Sequence, residues 1–331
     1  MTKISPTPAQ ETFIFFPNQP QHVSWAQRWI ALGGPDARDF LHRLTTARAR
    51  ALNPGEGTPA AFLSAQGKIR STFSLWCLDE SEFGFEVPTG ADMSFHRELL
   101  AAIDQYTFAE KMSLADIPTD KLECVWIFPS SEHSWSQEKP LTTRALEDEV
   151  RLNFHGSRDF TRPWISAWGR PERLRQWQDR EFGNATIATS DQVNLLRVAA
   201  CRPWVGHEIT PAVTPLDIGL PDAVAENKGC YPGQEVIEKI AALGSPARRL
   251  VRATTAEQSF EAPLGSRLFS LGEGQTMELG EITSAAPGEF LAIVRKTHAR
   301  PDAEFRIGSE GPNAKVIQVA PYLTDPEAKV E

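Results

Sequence analysis

The chain has 331 residues, of which 41% are apolar and 23% charged, with a formal net charge of -9. That length exceeds most single cores and implies two or three domains. The acidic balance argues against a general binder of nucleic acid or anionic membrane, which needs a cationic footprint. Arg248, Arg249 and Arg252 are the local exception and read as a solvated face. No apolar run approaches the roughly 20 residues of a membrane helix, and "FIFF" near the start is too short for a signal peptide. A cytoplasmic protein with no membrane partner is expected.

In chain order, "WIALGG" reads as a strand leading into a helix, with Ala37, Phe40, Leu41 and Leu44 on one apolar face. "AAFLS", the turn "AQGK" and "IRSTFSLWCL" read as a hairpin with one buried face. Ile69, Ser71, Phe73, Leu75 and Cys77 point one way; Arg70, Thr72, Ser74 and Trp76 point the other. "FGFEVP" is a further strand, "DMSFHRELLAAIDQY" an amphipathic helix, and "KLECVWIF" a strand again. Residues 130–140 are polar and turn-rich. "RPERLRQWQDREFG" reads as helix. "TSDQVNLLRVAACRPW" reads as another, opened by a Thr189–Gln192 capping box. From about Arg248 the texture changes to short β-type runs between Pro and Gly turns, which suits a small barrel or sandwich. "TDPEAKVE" reads as a frayed tail. Helices mixed with hairpins predict an α+β body.

The four cysteines are scattered and form no CxxC pair, so neither a disulfide framework nor a paired-ligand zinc site is expected. Cys77 and Cys124 lie in strand-like runs, and Cys201 ends an apolar helix; all three read as buried. Cys230 differs. It stands in "ENKGCYPGQEVIEK", just before a run with helical spacing through Val236, Ile237 and Ile240. A helix opening near Pro232 would direct free N–H groups toward the sulfur, and Lys228 brings a cation within two residues. An exposed, reactive thiol is expected at Cys230, with Lys228 as its electrostatic partner; the alternative is a Lys-Gly-Cys turn that merely connects two helices.

"KGCYPGQE" resembles the Lys-Gly-Cys-Tyr-x-Gly-Gln-Glu signature of the YgfZ family, whose members are built like the aminomethyltransferase (T-protein) of the glycine cleavage system. "GPDARDFLHRLTT", "AFLSAQGKI", "LLRVAACRPWVGHEI" and "GEITSAA" with "AIVRK" resemble further family segments in the same order. The chain departs from the pattern at Glu238-Lys239, where the family has Ala-Arg, and at Ala200-Cys201.

The resemblance implies an α+β pseudo-ring of two interleaved subdomains around a folate cavity, plus a small C-terminal β-barrel. The corresponding boundaries are an extension over 1–19, a body over 20–245 and a β-domain over 246–331. It implies tetrahydrofolate or a derivative as cofactor, with Glu208 accepting the pterin amide edge and Tyr231, Gln234 and Glu235 beside it. The implied function is support of iron-sulfur cluster assembly or repair in client enzymes, cluster-dependent tRNA-modifying enzymes included, with those clients or assembly proteins as partners. A true aminomethyltransferase is the alternative, and a scaffold for an RNA-modifying enzyme a third reading. The transferase needs an acid after a Val-Asn-Ala strand end. Here Pro88 holds the asparagine position and Phe95 the acid position, with Asp92 close by. Whether the protein turns over a substrate stays open at this level.

Overall fold

The computed structural model describes residues 12–157, 159–256, 260, 262–271 and 276–322. The segment read as a frayed tail lies outside the described residues. In chain order the elements are β1 (Phe13–Phe15), β2 (Gln27–Gly33), α1 (Ala37–Leu44), β3 (Gly57–Leu63), β4 (Ile69–Cys77), β5 (Glu82–Pro88), α2 (Ser94–Tyr106) and β6 (Ser113–Ile117). Next come β7 (Glu123–Phe128), β8 (Thr142–Ala145), β9 (Arg151–His155), β10 (Trp164–Gly169), α3 (Pro171–Phe182), β11 (Thr186–Ile187), α4 (Ser190–Ala199) and α5 (Gln234–Ala242). The last strands are β12 (Arg248–Thr255), β13 (Arg267–Phe269), β14 (Glu278–Ala286), β15 (Glu289–Arg295), β16 (Glu304–Ile307) and β17 (Asn313–Val319).

These elements pack into two compact units. Among the described residues, one unit holds 12–63, 70–193 and 222–232; the other holds 64–69, 194–221 and 233–322. The unit that contains the barrel is therefore wider than the 246–331 domain read from the sequence.

The first unit carries two sheets. One is five-stranded, ordered β3-β4-β5-β2-β6, and the other six-stranded, ordered β11-β1-β7-β10-β9-β8. Helices α1 and α2 bury Phe40, Leu41, Leu44, Leu99 and Ile103 on one face of the five-stranded sheet, against Ile30, Phe73, Leu75, Phe83 and Phe85. Helix α3 opens with Pro171, whose missing N–H costs nothing in the first turn. It sets Leu174 and Trp177 against Val125, Ile127, Leu152 and Ile165 of the six-stranded sheet.

Two expectations need correction here. "FIFF" is not part of an extension. Phe13–Phe15 form a buried strand that pairs antiparallel with β7 and parallel with β11. And β4 does not have a single buried face. Trp76 is fully buried and Thr72 nearly so, because that side of the strand meets polar and aromatic side chains of the six-stranded sheet.

The second unit contains the closed six-stranded barrel, ordered β12-β15-β14-β13-β16-β17. Alternate residues fill it: Val251, Ala253, Leu268, Ile282, Phe290, Ala292, Phe305 and Val316. Thr189 and Gln192 form the expected reciprocal capping box. The Thr189 N–H donates to Gln192 Oε1 at 2.9 Å, and the Gln192 N–H to Thr189 Oγ1 at 3.3 Å.

Candidate functional site

The motif around Cys230 takes its shape from a partner far away in sequence. Helix α1 ends at Leu44, and the last carbonyls of a helix must find partners outside its own ladder. The Lys228 ammonium is buried there and donates to the carbonyls of His42 and Thr45. A cation at the negative end of a helix is favoured by the dipole as well as by the hydrogen bonds. The Tyr231 ring closes over it, 4.9 Å from Nζ to centroid. Burial pulls the Lys228 pKa down to about 8, with Arg50 and Arg48 adding repulsion.

More bonds stitch the same two segments together. Thr46 Oγ1 donates to the Ala223 carbonyl at 2.5 Å, the Ala225 N–H to the Thr46 carbonyl at 3.1 Å, and Arg48 to the Glu226 carbonyl. The "FLHRLTTAR" and "ENKGCY" stretches therefore form one constellation. His42 belongs to it: its Nε2 lies 4.0 Å from where a Cβ on Gly229 would sit, and its Nδ1 is buried without a hydrogen bond. Burial and the charges of Lys228 and Arg50 lower the His42 pKa, which favours the neutral imidazole.

Cys230 is exposed, whereas Cys77, Cys124 and Cys201 are buried. Burial raises the pKa of all three: Cys201 to about 12, Cys124 well above its ordinary value with Glu86 adding to the effect, and Cys77 upward despite Arg38. Cys230 is thus the one accessible thiol among the four. The helix after it starts at Gln234 rather than Pro232, with Gly233 as its cap at φ 82°. A Cβ on Gly233 would come within 2.4 Å of the Ser64 carbonyl oxygen and 2.8 Å of Gly67 Cα, so the "AQGK" turn packs against the glycine itself. Gln234 spends its amide on Glu238 at 2.6 Å, and Glu235 is exposed in the first turn. Lys228 and Tyr231 meet directly; Gln234 and Glu235 belong to the other compact unit.

Glu208 does not match its expected role. It is 0% exposed. One oxygen accepts from Arg197 Nη1 and from the Trp204 N–H, each at 3.0 Å, and the other from Ser284 Oγ at 2.5 Å. Arg197 also reaches Ser284 and the Arg202 carbonyl. A buried carboxylate with both oxygens so engaged serves this structure as an internal ion-pair partner.

The sequence reading missed a second buried carboxylate, Glu86 on β5. It is 2% exposed and sits between the two sheets of the first unit. It accepts from Trp76 Nε1 at 2.9 Å, from Ser166 Oγ and from Trp168 Nε1, and pairs with His155 Nε2 at 3.3 Å. Desolvation works against its charge, yet His155 and these hydrogen bonds prevail and hold its pKa below the ordinary value. The signal was a lone acid in the apolar run "FGFEVP", opposite strands rich in tryptophan. Among the described residues, no three metal-ligating side chains gather at one point, and no helix is long and apolar enough to cross a membrane.

Comparison with known proteins bears on this architecture. The crystal structure of the glycine cleavage system aminomethyltransferase T from Bartonella henselae superposes with a TM-score of 0.78, covering 93% of this chain and 86% of that one at 16% identity. The chain has the T-protein fold. In sequence, this T-protein-like chain is 24% identical to a mitochondrial iron-sulfur cluster assembly factor homolog of Neurospora crassa over 239 residues, 68% of the chain and 51% of the relative. It is 36% identical to an aminomethyltransferase of Streptomyces avermitilis over 115 residues, 32% of the chain and 30% of the relative. No family model matches it. The T-protein-like chain is thus related both to cluster assembly factors and to aminomethyltransferases.

Proposed function

We propose that this chain is a tetrahydrofolate-binding factor that supports iron-sulfur cluster assembly or repair in client enzymes, cluster-dependent tRNA-modifying enzymes among them, with Cys230 as its working thiol. One observation carries the reading: Cys230 is the exposed cysteine of the four, on a segment braced to the end of α1 by the buried Lys228. An exposed thiolate can ligate an iron of a cluster in transit, and a fixed backbone holds it at a defined place. The cluster is cargo, not a resident group. The relative named for cluster assembly supports this half of the reading.

Folate enters through the T-protein fold. Glu208 does not fit as its pterin acceptor, since both oxygens are engaged within the protein.

Aminomethyl transfer is the second reading, favoured by the local identity to an aminomethyltransferase. Two residues count against it. Phe95, at the acid position, is buried in α2, and Asp92 spends its Oδ1 on the Ser94 N–H at 2.9 Å at the start of that helix.

The test pairs tetrahydrofolate titration with an aminomethyl-transfer assay on the purified chain, and adds complementation by Cys230→Ser in cells lacking it. Folate binding without transfer, and loss of cluster-dependent enzyme activity with Cys230→Ser, are expected. Transfer would move the assignment to the second reading, and full complementation by Cys230→Ser would remove the thiol from the function.

A further inference from the structure

The barrel carries a group of cations that the thiol site does not use. In the antiparallel pairing of β12 with β15, Arg248 stands directly opposite Arg295. Directly opposed residues share a face, and like charges there are destabilising. Both are exposed. One step further the ladder continues, with the Lys296 N–H donating to the Ala247 carbonyl at 3.0 Å, and Lys296 is exposed too. Arg300 joins them. It is exposed and follows Lys296 by four residues on the same connection out of β15.

Most other basic residues of the barrel are engaged, the exception being the half-buried Arg306, whose Nε is without a hydrogen bond. Arg249 donates to the Ala320 carbonyl, Arg252 pairs with Glu289 at 3.6 Å, Arg267 with Glu278 and Glu281, and Lys315 with Asp302. Among the described residues, Arg248, Arg295, Lys296 and Arg300 have no carboxylate partner. Folding gains nothing from placing two arginines in register without an anion between them. The arrangement becomes favourable once a partner supplies the anions.

We propose that this face of the barrel docks a short acidic segment of a partner protein, with Arg248, Arg295 and Arg300 pairing its carboxylates and Lys296 at the rim. A short segment suits the face better than a nucleic acid for two reasons. The whole chain carries a net charge of -9, which opposes the approach of a long phosphate polymer. A short peptide stays within the patch, beyond which charges are screened over about 8 Å at physiological salt. In addition, β12 and residues 295–300 present no Phe, Tyr or Trp on which bases could stack.

The test measures binding of a fluorescein-labelled oligoglutamate peptide to the full chain by anisotropy across a salt series, with a labelled oligouridylate beside it. Saturable peptide binding that weakens with salt is expected. Arg295→Glu should weaken it by about tenfold or more while leaving the melting temperature equal or higher, because it replaces a like-charge cross-strand pair by an opposite one. Arg300→Gln, which alters no strand, should weaken binding by a smaller factor. Peptide binding that is absent, or unchanged in both variants, would overturn the proposal. So would tighter binding of the oligouridylate than of the peptide, which would make the face a phosphate-backbone site instead.

Discussion

Lys228 and His42 are 186 positions apart in sequence, and the ammonium of one caps the helix whose last turn holds the other. The lysine of the Lys-Gly-Cys motif is therefore first a brace.

Removing the brace is expected to show in stability and in reactivity together. Lys228→Met leaves the carbonyls of His42 and Thr45 without their charged donor, a loss of about 1.5–3 kcal/mol. Urea denaturation measures the loss, and the alkylation rate of Cys230 reports the loosened segment. pH adds a signature. The folded-state pKa of about 8 lies below the ordinary 10.5, so between these values the unfolded chain holds a proton that the folded chain has released. This group's contribution to stability therefore rises with pH across that window. The rise should be missing in Lys228→Met; an identical pH dependence in both proteins would refute the buried ammonium.

Thiol labelling of the native protein is expected to stop at one site. Cys77, Cys124 and Cys201 are buried with raised pKa values, and should react only when the chain unfolds. Mass spectrometry after brief alkylation should find the label on Cys230 alone, and none in Cys230→Ser.

Glu86→Ala should cost about 3–5 kcal/mol, since it strands His155 and the donors of Trp76, Trp168 and Ser166 between two sheets. The pKa of Glu86 is lowered on folding, so its contribution is present above the ordinary value near 4.5 and is lost as pH falls through the folded value. Acid unfolding of the wild type should begin in that range, and Glu86→Ala should flatten this part of the profile.

Glu208→Ala separates a ligand role from a structural one. With Arg197 buried and uncompensated, the variant should lose about 3–5 kcal/mol of stability. Glu208→Gln, which keeps the shape, should retain whatever folate affinity the wild type has. A large selective loss of folate binding at unchanged stability would restore Glu208 as a ligand residue.

Two glycines with nearly the same backbone angle offer a matched comparison. Gly233 at φ 82° would bring a Cβ to 2.4 Å from a backbone oxygen, while Gly206 at φ 83° has nothing within 4 Å. Gly206→Ala should cost roughly 1–2 kcal/mol from the left-handed conformation alone. Gly233→Ala should cost clearly more, because backbone must move. Equal melting temperatures for the two would show that the "AQGK" turn yields freely.

Much of this was legible in the sequence where periodicity and capping agree. Helix α3 begins at its proline, α4 at its Thr189–Gln192 box, and the change of texture at Arg248 marks the first barrel strand. The exposure of Cys230 followed from the polar residues around it. What escaped depends on contacts between distant segments. Three residues of "FIFF" carry too little periodicity to announce a strand whose partners are 7 and 11 in strand order. A one-sided reading of β4 fails because nothing in the strand itself shows that a second sheet covers the Trp76 side. Glu86 looks like an ordinary acid, and Glu208 like a ligand acid, until His155 and Arg197 arrive from elsewhere in the chain.

The brace at Lys228 also fixes when the motif can take shape. Its acceptors, the carbonyls of His42 and Thr45, leave the ribosome long before the lysine does. Until that lysine emerges, the end of α1 is unsealed; until α1 exists, the lysine has nothing to hold. Closing so long a loop is entropically costly and slow relative to local folding. The segment that carries Cys230 is therefore sealed only once α1 and the Lys228 segment have met. A nascent or truncated chain would present a thiol without its scaffold, and thiol chemistry at the motif serves as a readout that folding is complete.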